Sequence, residues 1–180
     1  MYKNEHIVPV SYGTPFFQRL IRAAKLDASV YEEVESDTEG LSQAVTVVAL
    51  SSLATGIGAF PRLGARGLLY GMAVGLIGWV FWSFLTYWIG ARLLPTPETN
   101  ANLGQLLRTT GFATAPGILG VLGYAPALTG FITVVTQLWI LAAFVIAIRQ
   151  ALDYTSTLRA IAVCAIGWVI YVGAILMFTT

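Results

Sequence analysis

Charge is missing from four long stretches of the chain. Windows free of Asp, Glu, Lys and Arg run from Gly40 to Pro61, from Gly67 to Ala91, from Thr109 to Ile148 and from Ala160 to the C-terminus. A helix crosses a bilayer with about 20 apolar residues, so three of these windows fit one span each. The Thr109–Ile148 window holds 40 residues. As one helix it would reach about 60 Å, against a hydrocarbon core of about 30 Å. Its interior carries Pro116, Gly117, Gly120, Gly123 and Pro126, and a cluster of Pro and Gly ends a helix. The window therefore divides into a short segment and a full one. The pattern predicts five spans, at about 41–60, 67–91, 106–123, 127–149 and 160–179. The third is short enough to be re-entrant as well as spanning.

Composition sharpens this. The chain is 57% hydrophobic and 11% charged, where a soluble domain carries about 25% charged residues. Residues 1–39 hold 11 of the 19 charged side chains, and residues 40–180 hold eight. Such a surface excludes an ordinary soluble enzyme. It also excludes a nucleic-acid binder, which needs clustered cations. The fold class is all-α, an integral membrane helical bundle with five transmembrane helices and an N-terminal amphipathic helix. Residues 1–39 form an N-terminal segment, and residues 40–180 form the membrane domain. The first 20 residues lack a continuous apolar core and contain Pro9 and Pro15, so the first span is expected to act as the insertion signal.

The cations divide unevenly between the two sides. Lys3, Arg19, Arg22, Lys25, Arg92, Arg108, Arg149 and Arg159 fall on the N-terminal side of a five-span chain, and Arg62 and Arg66 on the other. The positive-inside rule puts the N-terminus in the cytoplasm and the C-terminus outside. The expected location is the cell membrane, multi-pass.

Ahead of the first span, residues 14–26 read TPFFQRLIRAAKL. Helical spacing sets Phe17, Leu20, Ile21 and Ala24 on one face and Gln18, Arg22 and Lys25 on the other. A short basic amphipathic helix of this kind lies at the headgroup boundary and favours anionic lipid, or packs on the ends of the spans. Phe17, Leu20, Ile21, Arg22 and Lys25 are its candidate interface residues. Ser29 and Glu32 have capping-box spacing, with Asp27 a further candidate cap for a second short helix. Glu32, Glu33, Glu35, Asp37 and Glu39 then follow as a solvated elbow or a docking patch for a basic partner.

Within the spans, Gly67, Gly71 and Gly75 recur every fourth residue. They form a smooth stripe where another helix, of this chain or a second copy, can approach closely. Trp88, Tyr12, Tyr124, Tyr154 and Tyr171 suit interfacial belts. Gln137 is the least comfortable polar residue in a span and calls for a hydrogen bond to a neighbouring helix. Arg149 and Asp153, four apart at a span end, suit an ion pair. No acid or base sits deep in a span, as proton relays and ion paths require. One His (His6) and one Cys (Cys164) supply neither a metal cage nor a disulfide framework. They also give no Ser–His pair inside a span. No cofactor, no metal and no enzymatic activity are expected.

Three segments carry a family resemblance: FFQRLIRAAKLDASVYEEV before the first span, TGFATAP at Thr110–Pro116, and LWILAAFVIAIRQALDYTSTLRAIAV at Leu138–Val163. In order and spacing the chain resembles the Yip (Ypt/Rab-interacting protein) family in its prokaryotic form. The resemblance implies a cytosolic N-terminus and five spans. Eukaryotic members resemble trafficking adaptors that bind small GTPases and carry an Asp-Leu-Tyr-Gly-Pro motif. Here the corresponding segment reads Val34-Glu35-Ser36-Asp37-Thr38-Glu39-Gly40, so a small GTPase partner is not expected. The expected role is a non-enzymatic scaffold, adaptor or accessory subunit. It would bind other membrane proteins in a large complex or by self-association, with lipids around it. The alternatives are a transporter or channel component, carried by the broken segment at Pro116–Gly123, and a membrane-shaping protein.

Overall fold

The computed structural model describes residues 14–179, with side chains placed as far as Ile170. Lys3, His6 and Tyr12 lie outside the described residues, as does the side chain of Tyr171. The described residues form helices and no strand: α1 (Phe16–Ala24), α2 (Ala28–Ser36), α3 (Leu41–Trp88), α4 (Leu103–Ala113), α5 (Thr129–Ala151) and α6 (Thr157–Thr179). A π-turn (Ile89–Leu93) continues α3, and a 3₁₀ segment (Ala115–Tyr124) continues α4. By length and composition, two helices are able to cross a membrane: Leu41–Leu93, with mean hydropathy 1.8, and Thr129–Ala151, with mean hydropathy 2.4.

The 48 residues of α3 would reach about 72 Å if straight. They do not run straight, because Gly64 adopts φ 58° and ψ −158° and turns the chain back on itself. Glycine reaches positive φ without the Cβ clash of other residues, so one position replaces the loop expected at 62–66. Residues 41–63 and 65–88 become two antiparallel arms. A methyl group at Gly75 would collide with the Ser52 side chain, and one at Gly56 would lie 3.2 Å from the Leu68 Cα. Gly71 also faces Gly56. Two of the three stripe glycines thus lie against the other arm of the same helix. Gly67 instead lies under Leu63 across the bend.

The α4–3₁₀ segment runs parallel to the first arm. Successive contacts pair Gly40 with Arg108, Gly111 with Ala44, Gly117 with Ser51, Gly120 with Thr55 and Gly123 with Gly58. The expected helix break at Pro116 is therefore a change of helix type, and the chain stays helical to Tyr124. Pro116 has no N–H, so the α-ladder stops there. Ser51 donates to the Thr114 carbonyl at the junction, at 2.8 Å. Gly117, Gly120 and Gly123 recur every third residue, and a 3₁₀ helix has three residues per turn. They therefore stack on one face, against the first arm. The rise also matches, since six 3₁₀ residues advance about 12 Å and the seven α-residues from Ser51 to Gly58 about 10.5 Å. Pro126 lies beyond the segment, and its carbonyl accepts from the Thr129 hydroxyl at 3.3 Å.

The first arm, α4, α5 and the α1–α2 pair share a core around Tyr31, Val47, Phe112 and Ala147. A second core around Ile89, Leu106, Leu152 and Val163 joins the π-turn to α6. Among the described residues, Arg62 and Arg66 are the charged side chains at the hairpin end. The other described charges gather at the opposite, polar end of the bundle.

Candidate functional site

The polar end is built by α1 and α2, which fold over the bundle as a cap. Asp27 opens α2 by accepting from the Ser29 backbone N–H at 3.0 Å. Of the sequence candidates for that cap, Asp27 fills the role, not Ser29. The Tyr31 hydroxyl donates to the Ala23 carbonyl at 3.1 Å, pinning α2 to α1. On α5, the Trp139 indole N–H donates to the Ala24 carbonyl at 2.8 Å.

Two buried arginines hold this cap. Arg19 is 4% exposed. It donates to Glu33 at 2.9 Å, to Asp37 at 2.6 Å and to Gln43 on α3 at 3.1 Å. Burial works against its charge, but the hydrogen bonds to Asp37 and Glu33 outweigh it and hold its pKa above the ordinary value. Arg108, on α4, is 8% exposed. It donates to the Val34 carbonyl at 3.0 Å and to the Glu35 carbonyl. These are last-turn carbonyls of α2, which the helix itself leaves without partners and which carry its negative end. Arg108 thus closes the C-terminus of α2 from another element.

The acidic run is accordingly not a solvated elbow throughout. Glu33 and Asp37 grip Arg19, while Arg22 pairs with Asp27 at 2.8 Å and with Glu33 at 2.7 Å. The Ser29 hydrogen bond and Arg22 pull the Asp27 carboxyl down to about 2. Glu32 and Glu35 point elsewhere. Glu32 accepts from Gln150 on α5 at 2.6 Å, and Glu35 accepts from Gln105 on α4 at 2.9 Å. Both line an open polar cavity of about 530 Å³ together with Gln105, Arg149, Gln150 and Asp153. Burial, then the nearby Asp153 and Glu32 charges, push the Glu35 carboxyl up to about 7, although Arg108 draws it down.

The Arg149–Asp153 ion pair is absent from the structure. Arg149 donates instead to the Tyr154 carbonyl at 3.2 Å. Asp153 sits in the left-handed region, φ 53°, which ends α5 and turns its carboxylate away from the helix line on which i and i+4 would meet. On α1, Phe17 is 71% and Ile21 53% exposed, and Leu20 is half-buried against the core. Lys25 is exposed and Arg22 half-exposed. The helix packs on the bundle through Leu20 and Ala23 and leaves Phe17 and Ile21 outside as an apolar ridge. Gln137 is exposed on α5 and bonds no neighbouring helix among the described residues.

Arg19 and Arg108 escaped the sequence reading as structural residues. The available signal was a cation on the helix preceding an acidic run, 14 and 18 residues before Glu33 and Asp37, and a cation three residues past a capping box. Asn102 and Gln105 do form that box, at 3.0 and 2.7 Å.

A bent apolar hairpin, a second long apolar helix and a charged cap at one end define a helical membrane protein. The family model for the Yip1 domain matches residues 27–178, and the chain belongs to that family. Comparison with curated proteins and with solved structures finds no match.

Proposed function

We propose that this protein is a five-span, non-enzymatic membrane scaffold or accessory subunit that binds other membrane proteins through its polar end. The observation that carries the reading is the cap itself. Two buried arginines fix α1 and α2 in place and leave Glu32, Glu35 and Asp153 around one open cavity. An acidic, preformed recess of this kind suits a basic segment of a partner subunit.

The helix lengths support a five-span reading. Each arm of α3 has more than 20 residues, α5 and α6 have 23 each, and the α4–3₁₀ segment keeps pace with the first arm along its length. With Arg62 and Arg66 at one end and seven described cations at the other, the polar end is cytoplasmic.

The test is a mild-detergent pull-down of the tagged chain from its native membrane, with mass spectrometry of the co-purifying subunits. A stoichiometric set of membrane proteins is expected, and Glu32→Lys with Glu35→Lys releases it. A chain that comes down alone, or a set unaffected by the charge reversal, overturns the reading.

The exposed Phe17–Ile21 ridge favours a second role in which α1 wedges into the lipid interface. Phe17→Glu then abolishes binding to anionic vesicles, and vesicle binding unaffected by that change sinks this role.

A further inference from the structure

Three recesses follow one another along α5. The first, about 320 Å³, opens at the hairpin end beside Arg62. The second, about 380 Å³, runs between α5 and the second arm of α3, past Gly75, Gly78 and Trp82. The third, about 720 Å³, lies between α5 and α6. Gln137 and Ile140 border both the first and the second. Trp82, Leu138, Leu141 and Trp168 border both the second and the third. The three therefore make one groove. Leu138, Trp168 and Val169 on its rim are more than half exposed, so it opens on the surface that a membrane protein turns to lipid. From Thr129 in the first recess to Ile146 in the third, the groove extends about 25 Å along α5. One leaflet with its headgroups is about 20–22 Å deep, so the groove has the reach of a single upright lipid.

Its lining changes along the way. The first recess carries Arg62, four threonines and Gln137. The second keeps Thr114 and Gln137 among apolar and aromatic walls. The third has no charge, hydroxyl or amide in its side chains. Cation, hydrogen-bonding stretch and apolar slot follow in the order in which a phospholipid carries its phosphate, its ester carbonyls and its acyl chain. No acidic side chain lines any of the three recesses, so the charge of Arg62 is left for an anion at the membrane surface. The apolar part is also open where it must be: a methyl group at Gly78 would meet nothing within 4 Å.

We propose that this groove holds one anionic phospholipid of the leaflet at the hairpin end. Its phosphate lies at Arg62, an ester carbonyl accepts from the Gln137 amide, and one acyl chain runs along Leu141, Phe144 and Trp168. The site lies away from the polar cap and does not depend on the scaffold role.

The full chain in a neutral detergent, titrated with phosphatidylglycerol and phosphatidylcholine of the same acyl chains and read by native mass spectrometry, tests this. One tightly retained phosphatidylglycerol per chain is expected, with phosphatidylcholine about fivefold weaker for the lost net charge at one arginine. Arg62→Gln brings phosphatidylglycerol down to the phosphatidylcholine level. Arg66→Gln, which removes the same charge at the same end but does not line the groove, leaves the preference intact. Gly78→Leu fills open space, keeps the fold and weakens both lipids. Phe17→Glu on α1 leaves this lipid bound. Equal retention of the two lipids overturns the proposal, and so does a preference lost equally in the two arginine variants, which would mean a diffuse surface charge. Binding that ignores Gly78→Leu overturns it too, because the chain would then lie outside the groove, as does a chain that retains no lipid at all.

Discussion

The first arm of α3 is held by two contrasting interfaces. Toward the hairpin end, helices meet backbone to backbone, with Gly58 under the Gly120 carbonyl and Gly117 under Ser51. Toward the polar end, they meet through long cationic side chains, with Arg19 reaching Gln43 and Arg108 reaching the end of α2. The first kind fits where lipid offers no hydrophobic drive between helices and close approach supplies the attraction. The second fits where water competes and a buried cation must be fully bonded to persist. One interface tolerates no added atom, and the other tolerates no lost donor.

The largest effect is expected from adding an atom to the glycine side. Gly58→Ala places its methyl group on the Gly120 carbonyl, which is backbone and cannot rotate away. A loss of about 3 kcal/mol or more is expected, seen as collapse of the folded fraction in detergent. A folded fraction equal to wild type would show that the 3₁₀ segment yields.

Removing a donor from the other side comes next. Arg108→Leu strands the Val34 and Glu35 carbonyls, at a cost of about 2–3 kcal/mol. The α1–α2 cap becomes protease-sensitive while the bundle stays resistant. Simultaneous loss of both would mean that the two interfaces are one cooperative unit. Arg19→Met is milder, about 1–2 kcal/mol, because Glu33 keeps Arg22 and both carboxylates are about a quarter exposed.

The smallest effect is a pH dependence confined to the cap. The Glu35 carboxyl is raised to about 7 by burial and by Asp153, so the docked cap binds a proton that the free cap has released. Docking is then strongest below the ordinary carboxylate range and weakens as pH rises through about 7. Asp27, Glu33 and Asp37, all lowered, act oppositely and only in acid. Hydrogen exchange of α2 against pH reads this directly. Glu35→Gln flattens the neutral limb, and an unchanged limb would assign it elsewhere.

The apolar windows announced the helices of the membrane domain, because charge-free length is a property of sequence alone. The hairpin at Gly64 was less legible: Pro61, Arg62 and Arg66 looked like a loop, and a single positive-φ residue leaves no periodic trace. The 3₁₀ segment was legible in principle, since Gly117, Gly120 and Gly123 keep its period of three. The same residues also end an α-helix, so their pattern alone predicts a break. At the polar end, the acids suggested exposure. Their partners lie 11 to 18 residues away for Arg22 and Arg19 and 70 away for the Gln105–Glu35 contact. Local spacing does not reveal pairings of that range, and it misassigned Arg149 to Asp153.

The bend at Gly64 also bears on how the chain enters a bilayer. Two apolar arms joined by one residue form a single wedge whose leading tip carries Arg62 and Arg66 as its charges. On the five-span reading, such a wedge would insert as a unit and carry almost no hydrophilic chain across. Lengthening the tip with acidic residues would burden translocation long before it disturbed the finished packing.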